Sequence, residues 1–333
     1  MSLALSRRNA LTGAMLGLGA CAAQTAGNAP LLVDLDRGPD EDIPLWPDGP
    51  PGGENVTVRE EIVHRDNDFG LVDRAAHNVT RPILSRFSAS DPDGSALLLI
   101  PGGGYRWVVI DKEGFEGARW FARRGVTCYV LRYRLPHQGW AAGADTPLQD
   151  AQRAMRVIRA RAAQDGVNPE RIAAMGFSAG GHVAGSLAMR FGAPVYEAVD
   201  AADTASARPN LAALVYPVAT MRDPHVHAGS RQHLLGDNPS EDCIGAYSLE
   251  TAPPADTPPT FLLHASDDAS VPVENSLQMF AALKRASVSA EMHVFERGGH
   301  GFGLRWLEHN SARAWPELFL KWAAMHGVLQ GGS

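Results

Sequence analysis

Ser178 stands between glycines in Gly176-Phe177-Ser178-Ala179-Gly180. A serine hydroxyl is a weak nucleophile until a positioned base takes its proton, so the useful question is which side chains could activate it. Candidate bases are His182, His264, His300 and the histidines of the 221–259 stretch. His300 lies in Arg297-Gly-Gly-His-Gly-Phe-Gly303, directly after a strand-like run. Flanking glycines let such a loop bring an imidazole close to another loop. His264 falls inside an apolar run and reads as a packed side chain, while His182 sits one turn into the helix that follows the serine and reads as packing near the site. An acid must hold the far ring nitrogen of the base to fix its tautomer, and Asp267 and Asp268 stand just beyond His264. Developing negative charge on a substrate oxygen needs preorganised amides. Ala179 offers one amide, and Pro101-Gly-Gly-Gly-Tyr105 offers another at Gly103 or Gly104, where side chains would block close approach.

Other chemistries fit less well. A phosphate loop would require Gly-Lys-Ser/Thr opening a helix after the glycine run, and none follows. His225-Val-His227 has no acidic or cysteine partners at ligand spacing, so no metal is expected there, and no cofactor is needed.

The elements that must hold these groups follow from the apolar pattern. Ile172 to Phe177 is a continuous apolar run that predicts a buried strand, and Ala179 to about Arg190 predicts a small-residue helix. Strand, sharp turn and helix form the context of a nucleophile elbow, with the serine in strained dihedrals and its amide neighbours at a helix N-terminus. Further strands are expected near 56–63, 83–87, 95–100, 127–133, 211–218, 260–266 and 290–296. Helices are expected over 114–124, 147–163 (its arginines forming a solvated side), 273–285 and 311–326, with 221–259 irregular. Strand and helix alternate almost throughout, which predicts an α/β fold with a mostly parallel central sheet and helices on both faces. Sites in such sheets lie beyond the carboxyl ends of the strands. That gathers the loops at 101–105, 177–181, 267–271 and 298–303 on one rim.

The 333 residues are 45% hydrophobic, enough for one large domain over 55–330, with a loop-rich insertion at 221–259. The net charge of -7 gives no support for a nucleic-acid partner. At the N-terminus, Ser6-Arg7-Arg8-Asn9 and a diluted apolar run resemble a twin-arginine export signal, and Leu18-Gly-Ala-Cys21 resembles a lipobox. Cys21 would then be lipidated, residues 22–54 would begin with a tether, and membrane contact would be through that anchor alone. An ordinary secretory signal cleaved near Gln24 is the alternative. Loss of residues 1–21, which hold two arginines and no acids, changes the charge to -7 - 2 = -9. Ala22 rather than Asp after the cysteine implies, by the habit of such lipoproteins, the periplasmic side of the outer membrane. Of the two remaining cysteines, Cys128 reads as a buried small hydrophobe; whether it pairs with Cys243 stays open, as does the oligomeric state.

Taken together, Pro101-Gly-Gly-Gly-Tyr105, Tyr133-Arg-Leu135, Asp150-Ala-Gln-Arg-Ala154, Gly176-Phe-Ser-Ala-Gly-Gly-His182, Tyr216-Pro217, His264-Ala-Ser-Asp-Asp268 and Gly299-His-Gly-Phe302 resemble the α/β-hydrolase superfamily. Within it they look like the secreted bacterial branch of acetylxylan-esterase-like and feruloyl-esterase-like enzymes. Pro101 and Phe177 depart from the hormone-sensitive-lipase-like branch, which carries a histidine and an acid there. The spacing in related hydrolases, an acid four residues before a proline, implies Asp268 as the orienting acid and leaves Asp267 to fix the loop. The order Ser178, Asp268, His300 is that of the superfamily. The resemblance implies a serine carboxylesterase acting on short acyl esters, acetyl above all, of plant cell-wall polysaccharides or their oligosaccharides. Tyr105, Arg106, Trp107 and the 221–250 segment would border the cleft, since aromatics suit sugar faces. Two rivals remain. One is a prolyl-oligopeptidase-type peptidase, although such enzymes use a long propeller for which the stretch before the sheet is too short. The other is a catalytically inactive surface-binding lipoprotein on the same scaffold.

Overall fold

The computed structural model describes residues 31–330 apart from positions 69, 306, 308 and 309. The leader expected at 1–21, with Cys21, and the start of the tether lie outside the described residues.

Eight strands form the main sheet: β1 (Glu41–Pro44), β4 (Ile83–Phe87), β5 (Ser95–Ile100), β7 (Val126–Arg132), β8 (Ile172–Phe177), β9 (Leu211–Val215), β10 (Thr260–Ala265) and β11 (Ala290–Phe295), in the order β1-β4-β7-β5-β8-β9-β10-β11. The run from β7 to β11 is parallel, and β1 and β4 add antiparallel at one edge. Every residue of β5, β8, β9 and β10 is buried. Successive side chains of a strand point to opposite faces, so these strands are covered on both sides. At roughly 1.5–3 kcal/mol per fully buried large aliphatic side chain, runs such as Leu97-Leu98-Leu99 dominate the stability of the layer. The covering helices include α1 (Glu116–Ala122) against β7 and α2 (Thr146–Asp165) against α3 (Ala179–Arg190). α3 lies on β8 and β9, while α6 (Glu274–Arg285) and α7 (Trp315–Met325) lie on β10.

Three elements depart from the sequence expectations. The strand expected over 56–63 is confined to β2 (Glu61–His64), which joins β3 (Arg74–His77) and β6 (Val108–Val109) in a separate small sheet. The 221–259 segment is not wholly irregular, because α4 (Ala228–Leu235) and α5 (Glu241–Ala246) are each capped: His227 accepts from Ser230 N–H and Ser240 from Cys243 N–H. The arginines of α2 do not simply face solvent. Arg153 is buried, donates to Asp200 at 2.8 and 2.5 Å, and lies over the Trp46 ring. Cys128 and Cys243 are both free thiols, and burial pushes the Cys128 thiol up.

Candidate active site

β8 ends at Phe177, and Ser178 turns the chain into α3 with φ 54° and ψ -120°. A non-glycine residue there costs about 1–3 kcal/mol and persists only where its surroundings over-determine it. They do. Ser178 N–H donates to Val215 O at 3.0 Å, and Ser178 O accepts from Gly181 N–H at 2.9 Å and Val218 N–H at 3.0 Å. The flanking glycines are required by space: a Cβ at Gly176 would lie 2.0 Å from Gly180 O, and one at Gly180 would lie 2.1 Å from Ile100 O. The turn therefore presents the hydroxyl while the backbone stays pinned.

Loops after β10 and β11 meet that hydroxyl. His300 Nε2 is 2.9 Å from Ser178 Oγ, and His300 Nδ1 is 2.7 Å from Asp268 Oδ2. Asp268 Oδ1 accepts from the amides of Ser270 and Val271, both at 2.9 Å. Burial would raise the Asp268 carboxyl, but hydrogen bonds from His264, His300 and the Val271 amide outweigh it and hold the group well below the usual carboxylate range. Asp267 accepts from Gly299 N–H at 2.8 Å and so braces the loop that carries His300. His264 is wholly buried within β10, with Nδ1 2.8 Å from Ser276 Oγ and Nε2 3.0 Å from Val271 O.

The glycine run beyond β5 closes the opposite side. Gly102 N–H is taken up by Glu113 Oε2 at 2.9 Å, which leaves Gly103 and Gly104 as the donors of the run. Gly103 has φ +128°, and a Cβ there would lie 2.3 Å from Trp107. Ala179 opens α3, where amides have no partner within the helix. Gly103, Gly104, Ser178 and His300 line a cleft of about 350 Å³, together with Arg106 and Trp107. His227 and His233 reach it from the 221–250 segment, and burial lowers the His227 imidazole.

Tyr105 is not part of that cleft. Its φ of 59° turns the side chain inward, where it is 1% exposed and donates to His182 Nδ1 at 2.7 Å. His182 Nε2–H then donates to Tyr247 O at 2.7 Å, and burial lowers this imidazole to about 4. His182 is thus a neutral strut beneath the site. His227 and His233 belong to the 221–250 segment expected to border the cleft, whereas Glu113 and the link from His264 to the acid were not read from the sequence.

A model of the prolyl oligopeptidase family matches residues 136–326, more than half of the chain and all three of Ser178, Asp268 and His300. The chain belongs to that family. Among its relatives is an acetylxylan esterase of Xylanibacter ruminicola, 32% identical over 229 residues, which are 67% of this chain and 44% of that protein. Another is endo-1,4-beta-xylanase B of Butyrivibrio fibrisolvens, 33% identical over 293 residues, or 85% of this chain and 45% of the relative. This prolyl oligopeptidase family member therefore spans less than half the length of either. The crystal structure of an acetyl ester-xyloside bifunctional hydrolase from Caldicellulosiruptor lactoaceticus superposes with TM-score 0.69 at 32% identity, covering 88% of this chain and 98% of that one.

Proposed function

We propose that this chain is a serine carboxylesterase that removes short acyl groups, acetyl above all, from xylan-type cell-wall polysaccharides or their oligosaccharides. The observation that carries the reading is the continuous line from Ser178 Oγ through His300 to Asp268 beside the open amides of the glycine run. The acetyl and xylan substrates named for the relatives support it at the level of substrate class. Ser178 attacks the ester carbonyl while His300 takes its proton, and Asp268 steadies the imidazolium. The amides of Ala179 and of Gly103 or Gly104 stabilise the tetrahedral oxyanion. His300 then protonates the departing sugar hydroxyl, and water repeats the sequence on the acyl-enzyme.

The family's name favours peptidase action as a second reading. Both are tested by treating acetylated xylan, acetylated pectin, feruloylated oligosaccharide and an aminoacyl-nitroanilide with the protein and identifying what is released. Acetate from xylan at the highest rate is expected; faster nitroanilide turnover would reverse the choice. Absence of fluorophosphonate labelling would leave only an inactive scaffold.

For location, the reading is export by a twin-arginine signal and lipidation at Cys21, which would hold the enzyme at the outer membrane. Cys21→Ala should then move it from the membrane fraction to the soluble periplasm, and an unchanged distribution would remove the anchor.

A further inference from the structure

Glu113 lies in a π-helical turn, Asp111–Phe115, between the small sheet and α1. Its carboxylate is buried, an expensive place for a charge unless hydrogen bonds replace water. The two oxygens diverge to different segments of the chain. Oε2 accepts from Gly102 N–H at 2.9 Å, and Oε1 accepts from Tyr216 Oη–H at 3.1 Å. The Tyr216 hydroxyl in turn accepts from Gly303 N–H at 3.1 Å, three residues beyond His300. The Tyr216 ring also stands edge-on to the His300 imidazole, with centroids 5.3 Å apart. One carboxylate thus ties the oxyanion loop to the loop of the base.

The tie bears on the orientation of a donor. Gly102 is held on both sides, by Glu113 at its N–H and by Val109 N–H at its carbonyl, 3.0 Å away. A planar trans peptide points its N–H opposite its C=O, so the Val109 bond sets the direction of the Gly103 N–H, while the Glu113 bond on the preceding peptide holds the position of the residue that carries it. We infer that Glu113 is a positioning residue that sets the separation between the oxyanion donors and His300. The inference rests on the acyl-transfer reading above.

The test uses the full chain carrying Glu113→Gln, whose side chain can accept from one of the two donors but presents NH₂ to the other. It measures kcat and KM for p-nitrophenyl acetate, together with the inhibition constant of a trifluoromethyl ketone, whose adduct oxygen occupies the oxyanion position. A displaced donor should lower kcat about 10- to 100-fold, weaken the ketone by a similar factor and leave KM within about twofold. A folded variant with kcat and ketone affinity within about twofold of wild type would overturn the inference, whatever its Tm, because a purely structural brace moves Tm alone. If Glu113→Gln does not fold, Tyr216→Phe decides. It removes only the hydroxyl, and should lower kcat and ketone affinity together by about 5- to 10-fold, as expected for one hydrogen bond; no change would overturn the role of the tie. A wild-type protein that turns over no ester would instead strike at the acyl-transfer reading itself, and with it at this one.

Discussion

His264 approaches Asp268 from within the sheet: its Nε2 lies 3.3 Å from Oδ2, the same oxygen that accepts from His300. A ring nitrogen that faces both a carbonyl and a carboxylate must carry its hydrogen, so His264 Nε2–H supports the acid that supports the base.

His264→Phe removes that donor. The carboxyl of Asp268, held low in the wild type, should rise. A carboxylate with a depressed folded value adds stability above its unfolded value and loses it as pH falls through the folded one. The loss begins near the unfolded value in both proteins, so the variant, with its folded value raised, has less to lose and its curve should be the flatter one. Loss of one charge-assisted bond should also lower kcat, by about 12-fold or more. Tm measured from pH 6 to 3, with kcat at neutral pH, checks both; identical curves would mean that His264 only fills space.

Gly103→Ala should fold and fail at chemistry. Its φ of +128° disfavours any side chain, and the new Cβ would collide with Trp107 unless the loop shifts. A shift that removes one oxyanion donor should lower kcat about 100- to 1000-fold. Steady-state kinetics on p-nitrophenyl acetate reads this directly, and an unaltered kcat would move the donor to Gly104.

His182 makes stability depend on pH. Its folded value of about 4 lies below the ordinary 6.5, because burial disfavours the charged ring. Between those values the unfolded chain binds more protons, so stability should fall as pH drops from 6.5 toward 4, by about 3 kcal/mol at most. His182→Gln should flatten that part of the Tm curve, and an equal slope in the variant would assign the dependence elsewhere.

Arg134 and Asp150 form a wholly buried pair, 2.8 Å apart, and Asp150 also accepts from Trp46 Nε1–H at 2.8 Å. Asp150→Ala leaves the guanidinium without its partner and should cost about 3–5 kcal/mol. Arg134→Met combined with Asp150→Leu should cost less than the sum of the single changes. Denaturant melts of wild type, Asp150→Ala, Arg134→Met, Asp150→Leu and the double variant settle this; strict additivity would mean that the two groups do not depend on each other.

The sequence made the parallel core legible because β5, β8, β9 and most of β10 are apolar runs with turn residues at their ends. β1 was not legible: four residues with two acids and a proline carry no periodicity, and only the neighbouring β4 makes them a strand. α4 and α5 were hidden in a proline- and histidine-rich stretch because their starts depend on single capping side chains. At the site, residue types and chain order brought 178, 300 and the pair 267 and 268 to notice, and the resemblance to related hydrolases selected 268. Order along the chain says nothing about which way a residue faces, so Tyr105 was assigned to a cleft that its backbone turns it away from. Glu113 left no local trace, since its partners come from residues 102 and 216.

The frame around residue 178 is made from main-chain groups of Val215, Val218 and Gly181, and none of those bonds uses the serine hydroxyl oxygen. Deleting that one atom should therefore leave the mouth intact and empty of reactivity. Under the function proposed above, such a protein would be a trap that holds an intact ester long enough for its identity to be read.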